Sequence, residues 1–481
     1  MKKLGLFLGF ITLTLTAMAQ SAESSVLTLT LEQALEIALS ENPTIKVAEQ
    51  EIEIKRYAKQ ETYSSLYPRF DLTAQYQRVL AKQTMSMDMG DGNPRTLKVG
   101  SDNSFNGGVT GSMPVVNVQL WESLKVSIAD VVLAVEKARS SQIDMIEQVS
   151  RAYFTVLLAK ESLVVYQRVY DNAVSNNNNI KGRYDVGSVS EYDLISSNVA
   201  VQNAIPNVIE AQNSVVLALW QLKALLGIDL GKEIDVVGTL MDYEAQMNYA
   251  YTIDQLDLSN NTTLAQLGIQ ENMLKSALKI KKYANIPTLS INAAYLYTAL
   301  GNDGKFFQSK AWNPYSYAGV QLNIPIFAGG QRRAAIKQAN LNLSNLQLQR
   351  ENAERQLRVA VVQSLNNMQT NVRKFSAAAA TIDQAKRGYE IAVKRYEVGR
   401  GTLVDVDNSQ LALTQAELSR NSAVYNFLVS KIALDKILGN HEVKSNHDYI
   451  ESFEQKYQDR YGEEESAKNE QATEQANQEK K

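Results

Sequence analysis

The chain is written twice. Arg183-Tyr184-Asp185-Val186-Gly187 returns as Arg395-Tyr396-Glu397-Val398-Gly399, 212 residues on, and Asp193, Leu226 and Gly227 return at the same offset as Asp405, Leu438 and Gly439. Pro114 maps onto Pro325 at an offset of 211, while Asn42 and Pro68 map onto Asn261 and Pro287 at 219. The offset therefore changes only between Pro68 and Pro114. An ordered series of matches makes each half a copy of one structural unit. Any fold proposed for the chain must be made of two such units side by side.

Each copy runs through the same sequence of periods. Thr30-Leu31-Glu32-Gln33 and Thr252-Ile253-Asp254-Gln255 are capping-box patterns that open helices. Asn42-Pro43 supplies an N-cap and a proline at the first helical position, and an amphipathic run follows to about Ser65. The period then switches to two. Phe70, Leu72, Ala74 and Tyr76 alternate with polar residues, as do Phe105, Val109 and Met113. Copy two repeats this with Leu289, Ile291, Ala293, Tyr295 and Tyr297, then with Val320, Leu322 and Ile324. These are four strands, each with one apolar and one polar face. Thr84–Asn103 and Gly301–Pro314 read as the loops joining them.

After each strand pair comes a helical stretch without a breaker, about Asn117–Tyr184 and Gln331–Tyr396. At 1.5 Å per residue each is roughly 100 Å long. Ile336, Ala339, Leu343, Leu346, Ala353, Leu357 and Ala360 keep the three- and four-residue steps of a narrow coiled-coil seam. Both long helices end at Val-Gly, and return helices of half the length follow, Glu191–Leu226 and Leu403–Leu438. A half-length helix leading into each strand pair, stacked on a return helix, would match one long helix.

The flanks are different material. Met1-Lys2-Lys3, the apolar run Leu4–Leu15 and Ala17-Met18-Ala19 have the form of an export leader, so residues 1–19 read as a signal peptide with the mature chain from Gln20. That apolar run is too short to span a bilayer as a helix. Residues 20–239 form the first repeat and 240–440 the second. Residues 441–481 form a Glu-, Gln- and Lys-rich tail without apolar period, expected to be disordered.

Composition removes most chemistry. The chain has no Cys, and its only His are His441 and His447, near the C-terminus. Thiolate metal sites and cysteine nucleophiles are excluded, and His-ligated zinc and Ser-His-Asp hydrolysis are excluded from the body of the chain. A formal charge of −3 gives no argument for nucleic acid. No cofactor and no catalytic activity is expected, and function must come from architecture.

Four two-faced strands leave two open sheet edges, which closure into a barrel removes. In an exported protein such a barrel turns apolar residues to lipid and polar residues to a lumen. Four strands are too few for that, since the smallest bacterial barrels have about eight. Several protomers must share one barrel, and the long helices would continue it as a tube.

The order helix, strand, loop, strand, long helix, Val-Gly turn, return helix resembles the TolC-like outer-membrane efflux channel family. The resemblance covers about Leu27–Gly439 and rests on Thr30–Pro43, Tyr67-Pro68-Arg69-Phe70, Asn323–Phe327 with Gly329-Gly330, and the two Arg-Tyr-x-Val-Gly turns. It implies an α+β fold in which three protomers, four strands each, share a transmembrane β-barrel continuous with a periplasmic α-helical coiled-coil barrel. It implies a passive channel in the outer membrane of a Gram-negative bacterium, set in lipid and docked through a periplasmic adaptor to an inner-membrane transporter of RND or ABC type.

The resemblance also assigns residues. Val186, Gly187, Ser188, Val189, Val398, Gly399, Arg400 and Gly401 match the periplasmic tips that an adaptor grips. Asp405 matches the first of two acidic rings that narrow the tunnel; the second position holds Asn408 instead of an acid. Asp407 is one residue away from that face, since each helical residue turns about 100°. Tyr396 and Asp193 fall on positions linked in the closed state, with Tyr192 beside them, and Arg400 precedes the site of the arginine that completes the set, which is Gly401. Trp312, Tyr315, Tyr317 and Tyr295 are candidates for an aromatic girdle, with core packing the competing explanation. Met85, Met87 and Met89 alternate in the first loop as a strand extension or a weak soft-metal set. The competing reading of the whole is an exported coiled-coil structural or adhesive protein without a pore, which leaves the four strands unused.

Overall fold

A computed structural model describes residues 26–87, 95–248, 257–302 and 312–440. The leader, the capping-box pattern at Thr252, Met89, the two histidines and the polar tail lie outside the described residues.

The first copy opens with β1 (Leu27–Leu29), α1 (Leu31–Glu41) and α2 (Pro43–Ser64), then β2 (Arg69–Arg78). The connection expected as a loop instead carries a hairpin, β3 (Gln83–Met87) and β4 (Arg95–Val99), with Met85 opposite Leu97 and Met87 opposite Arg95. Period-two alternation through Thr84, Met85, Ser86 and Met87 was already the signature of that strand extension. Next come β5 (Asn103–Val116), α3 (Val118–Asp185) and α4 (Glu191–Leu226). After β6 (Ile234–Val236) and a 3₁₀ helix (Leu240–Asn248), copy two follows as α5 (Thr262–Tyr283), β7 (Thr288–Gly301), β8 (Trp312–Asn323), α6 (Gln331–Glu397) and α7 (Leu403–Leu438).

The two half-length helices of each copy stack end to end, and one asparagine makes each joint. Asn42 caps α2 by accepting the Thr44 N–H at 2.7 Å, while its Nδ2 donates to the Leu225 carbonyl at the end of α4, also at 2.7 Å. Asn261 does the same for α5 and α7, accepting from the Leu264 N–H at 3.0 Å and donating to the Ile437 carbonyl at 2.7 Å. A single side chain thus satisfies an orphan donor of one helix and an orphan acceptor of another. Gly439 sits at φ 68° where a Cβ would come 2.3 Å from the Asn260 carbonyl oxygen, so this position requires glycine. The columns α2/α4 and α5/α7 therefore run beside α3 and α6, which are 68 and 67 residues long.

Neighbouring columns lie in the order α2/α4, α3, α5/α7, α6, and the antiparallel sheet has the matching order β2-β5-β7-β8. Each strand thus continues one column, and all four junctions fall at one end of the sheet. Both layers end on the same two margins, α2/α4 with β2 and α6 with β8. Coverage on both sides makes α3 the most buried of the long helices: it contributes Val149, Tyr153, Phe154, Val156 and Leu157 to the main core, beside Leu222, Leu226, Phe427 and Leu434 from the return helices. The α6 seam from Ile336 to Ala360 is half-buried, with Leu346 buried, and farther along α6 Val361 and Met368 join the main core. At the middle of the column layer β1 and β6 pair in parallel, and the Tyr153 hydroxyl reaches the Val237 and Leu29 carbonyls at 2.6 and 3.2 Å. Burial pushes that phenol up to about 12.

Directly paired residues of an antiparallel sheet share a face. One face carries Phe70–Gly111–Ala293–Ala318, Leu72–Val109–Tyr295–Ser316 and Tyr76–Phe105–Ala299–Trp312 as rows. The other carries Asp71–Thr110–Ala294–Tyr317, Thr73–Gly108–Leu296–Tyr315 and Gln75–Asn106–Thr298–Asn313. The strands are 10 to 14 residues long, enough to cross a hydrocarbon layer at a tilt. Among the described residues no helix is long and apolar enough to do so.

The register corrects the girdle. Trp312 and Tyr295 lie on the apolar face, where Trp312 extends an aromatic row with Phe105 (ring centroids 5.8 Å) and Tyr76 (5.3 Å from Phe105). Tyr315 and Tyr317 lie on the polar face, because they alternate with Ser316 and Ala318 and share their side with Gln321 and Asn323.

Candidate functional site

Both hairpins reverse on the same device. At the end of α3 the Gly187 N–H donates to the Tyr184 carbonyl at 2.8 Å and the Ser188 N–H to the Arg183 carbonyl at 2.7 Å, with Gly187 at φ 71°. These paired bonds are a Schellman turn, and its left-handed position favours glycine. At the end of α6 the Gly399 N–H donates to the Tyr396 carbonyl at 3.0 Å and the Arg400 N–H to the Arg395 carbonyl at 2.8 Å, with Gly399 at φ 72°. Val186, Gly187, Ser188, Val398, Gly399 and Arg400 are all exposed at these turns, Val189 and Gly401 partly so. Arg400 makes no ion pair among the described residues, and its carbonyl accepts from Arg395 Nη2 at 3.2 Å.

A capping box follows each turn. The Ser190 hydroxyl accepts the Asp193 N–H at 3.2 Å while Asp193 Oδ2 accepts the Ser190 N–H at 3.3 Å. Thr402 and Asp405 repeat it at 3.2 and 3.0 Å. Both acids expected at a gate therefore also start a helix, a local reason for their presence at the same offset in both copies. Within one chain the Thr402 N–H and hydroxyl hold the Asp405 carboxyl below its usual range, with Arg395 adding to the effect.

The site residues divide into three places. Asp405 and Asn408 face the same way and line a small pocket of about 280 Å³ between α6 and α7, with Arg395, Ile391 and Gly401. Asp407 faces away from them into a groove of about 790 Å³, floored by α3 and walled by α4 and α7. Tyr192, Ile195, Val199, Val404 and Leu411 are exposed along that groove. Partial desolvation in the groove pushes the Asp407 carboxyl above its usual range.

Tyr396 occupies the third place, a joint where all four helices meet: Ile180 from α3, Leu194 from α4, Ala392 from α6 and Val406 from α7 pack around it. It is 8% exposed, and Arg183 lies over its ring at 5.5 Å and donates to its carbonyl at 3.4 Å. The expected Tyr396–Asp193 hydrogen bond is not formed: the phenol oxygen is buried without a partner, and Asp193 is turned to Ser190. Burial first, then the nearby Asp193 charge, raises the Tyr396 pKa. Sequence reasoning missed Arg183 and Tyr389, which pack at this joint; the register Arg183/Arg395 was the available signal, since two equivalent arginines need not serve the same hairpin.

Nothing in this constellation resembles a reactive centre, and among the described residues no cluster of acidic or histidine ligands could hold a metal ion. What the geometry offers is a long layer of helical columns, continued by a sheet, with two like tips. Comparison with known proteins agrees. A family model described as outer membrane efflux protein matches twice, at residues 34–228 and 254–440. The outer membrane protein TolC of Vibrio cholerae is 22% identical over 78% of this chain and 83% of its own length. The alkaline protease secretion protein AprF of Pseudomonas aeruginosa is 22% identical over 82% of this chain and 81% of its own. The CmeC outer membrane channel of Campylobacter jejuni shares the fold at a TM-score of 0.70 and 18% identity, over 88% of each chain. The open state of the Neisseria gonorrhoeae MtrE channel does so at 0.65 and 18% identity, over 85% of this chain and 88% of that one. With its duplicated unit, its two-faced sheet and both halves matched, this chain belongs to the outer membrane efflux protein family and is an outer-membrane channel for efflux or secretion.

Proposed function

We propose that three copies close a twelve-stranded barrel in the outer membrane, continued into the periplasm by twelve helical columns, and that the tube passively carries cargo. The observation that carries this reading is the shared margin of the two layers. On one side Phe70 and Leu72 of β2 and Ile209 and Val216 of α4 are exposed; on the other, Val320 and Leu322 of β8 and Leu341, Leu348 and Val359 of α6. Open strand edges lined with apolar residues on both sides demand a partner. A neighbouring copy offers the complementary edge of both layers at once, and repetition of a head-to-tail contact closes a ring. Native mass of the detergent-extracted protein tests it: a trimer is expected, and a stable monomer contradicts it.

The tips and the groove support docking of a periplasmic adaptor that links the channel to an energised inner-membrane transporter of RND or ABC type. The two Schellman turns present Val186 to Val189 and Val398 to Gly401 at one end of the layer. The groove beside them runs along about fifteen residues of α4 and of α7, or roughly 22 Å. An apolar trough of that length between two helices suits an amphipathic helix, and Asp407 would meet one basic side chain of it. In the trimer the Asp405 side chains form one acidic layer, with Asn408 above it uncharged, so the gate favours cations through a single ring. Tyr396, with Arg183 over its ring and the apolar residues of all four helices around it, holds the two hairpins together near the tips.

A further inference from the structure

We infer that Tyr315 and Tyr317 form an aromatic binding belt inside the barrel that retains aromatic organic cations as they leave. The inference rests on the shared barrel proposed above, and beyond it on the register of β8. Strand pairing puts these two side chains on the face opposite Phe70, Leu72, Val109 and Ile291. If that apolar face meets lipid, both tyrosines point into the lumen, and three copies supply six rings in two adjacent rows.

The rings are available. Tyr315 is 58% exposed and Tyr317 47%, with centroids 5.8 Å apart, while Tyr295 and Tyr297 form a separate pair on the other face. Small residues leave room beside Tyr317, while Leu296 flanks Tyr315. Tyr317 shares its row with Ala294, and a Cβ at Gly319, next along the same face, would meet nothing within 4 Å.

The rest of the face narrows the ligand chemistry. Its other residues on β5, β7 and β8 are Ser, Thr, Asn, Gln, Gly, Ala, Pro and Leu, and the charges on β2, Arg69 and Asp71, neutralise each other at 3.0 Å. This wall neither repels nor attracts ions through net charge. Selective retention must therefore come from the phenol rings, whose electron-rich faces attract cations and stack on flat aromatic groups. The amides of Gln75, Asn106 and Asn313, one row away, can hydrogen-bond polar substituents. A molecule joining a positive charge to aromatic rings uses both properties of a tyrosine.

Single-channel recording of the full-length channel in planar bilayers tests this, with tetraphenylphosphonium as probe and tetrabutylammonium as a cation of the same charge without rings. Block by tetraphenylphosphonium should last about tenfold longer, the effect of one or two ring contacts. In the double variant Tyr315→Leu with Tyr317→Leu that difference should vanish, and in Tyr315→Phe with Tyr317→Phe it should persist. A conducting leucine variant that keeps the long block overturns the belt, because apolar bulk would then suffice. A wild-type trimer that conducts but blocks equally with both cations overturns it too and leaves the shared barrel standing. Absence of conductance in every form overturns the barrel, and the belt with it.

Discussion

The two hairpin tips are the same turn made twice, and they differ at one tyrosine. Tyr184 and Tyr396 hold equivalent places, each two residues before Val-Gly, each with its carbonyl in a Schellman bond. Tyr184 is 38% exposed; Tyr396 is 8% exposed and lies under Arg183 of the other hairpin. The arginines differ in the same way. Arg183 reaches across to the second hairpin, whereas its equivalent Arg395 bonds back to its own turn at Arg400. Duplication thus preserved what a helix reversal needs, the glycine and the capping box. It released the residues that sit between hairpins, and these became a lock in one copy only.

The largest effect expected on this comparison is on docking. Gly399→Trp should leave trimers in the membrane and abolish export, because a bulky residue without left-handed tolerance distorts an exposed tip; normal export in cells would count against tip docking. Next comes the lock. Tyr396→Ala should loosen the tips by roughly 3 kcal/mol, as for truncation of a buried aromatic side chain. Tyr184→Ala should cost less than about 0.5 kcal/mol, the usual range for an exposed site. Amide hydrogen exchange of the tip helices separates them, and equal protection in both variants would erase the distinction. A smaller effect of opposite sign is expected from Tyr396→Phe. It removes a buried hydroxyl without a partner, so it should slow tip exchange, by about 1 kcal/mol, and leave conductance unchanged. Higher conductance would mean that the hydroxyl does hold the closed state.

The smallest effects are those of pH, and they set Asp405 against Asp407. The lowered Asp405 pKa means a contribution to stability that is present above the ordinary carboxylate range and lost as pH falls through the lowered value. The raised Asp407 pKa means the reverse: stability is fullest when that acid is protonated and declines as pH rises through the raised value. Asp407→Asn should therefore stabilise the tips at pH 7 and change little at pH 4, as read by hydrogen exchange. Asp405→Asn should destabilise them at pH 7. The same sign for both variants would contradict the assignment of one acid to a cap and the other to an apolar wall.

Much of this could be read from the residues alone. The return helices begin and end where the period and the glycines place them, since caps and left-handed glycines are local chemistry. The column joints were legible as lengths but not as mechanism: nothing near Asn42 announces that its side-chain NH2 closes a helix 183 residues away. Tyr315 and Tyr317 share the face of Gln321 and Asn323, a parity that is legible in the residues but that aromatic content alone does not reveal. The Tyr396–Asp193 link failed for a different reason. Ser190 lies three residues before Asp193, and a local capping partner displaced the distant phenol.

Conductance of the purified protein in planar bilayers, with its mass determined in parallel, tests the central claim most directly. The account predicts a trimer that gives small, cation-selective channels, with selectivity lost in Asp405→Ala. A monomer without conductance would contradict the shared barrel and the tunnel together.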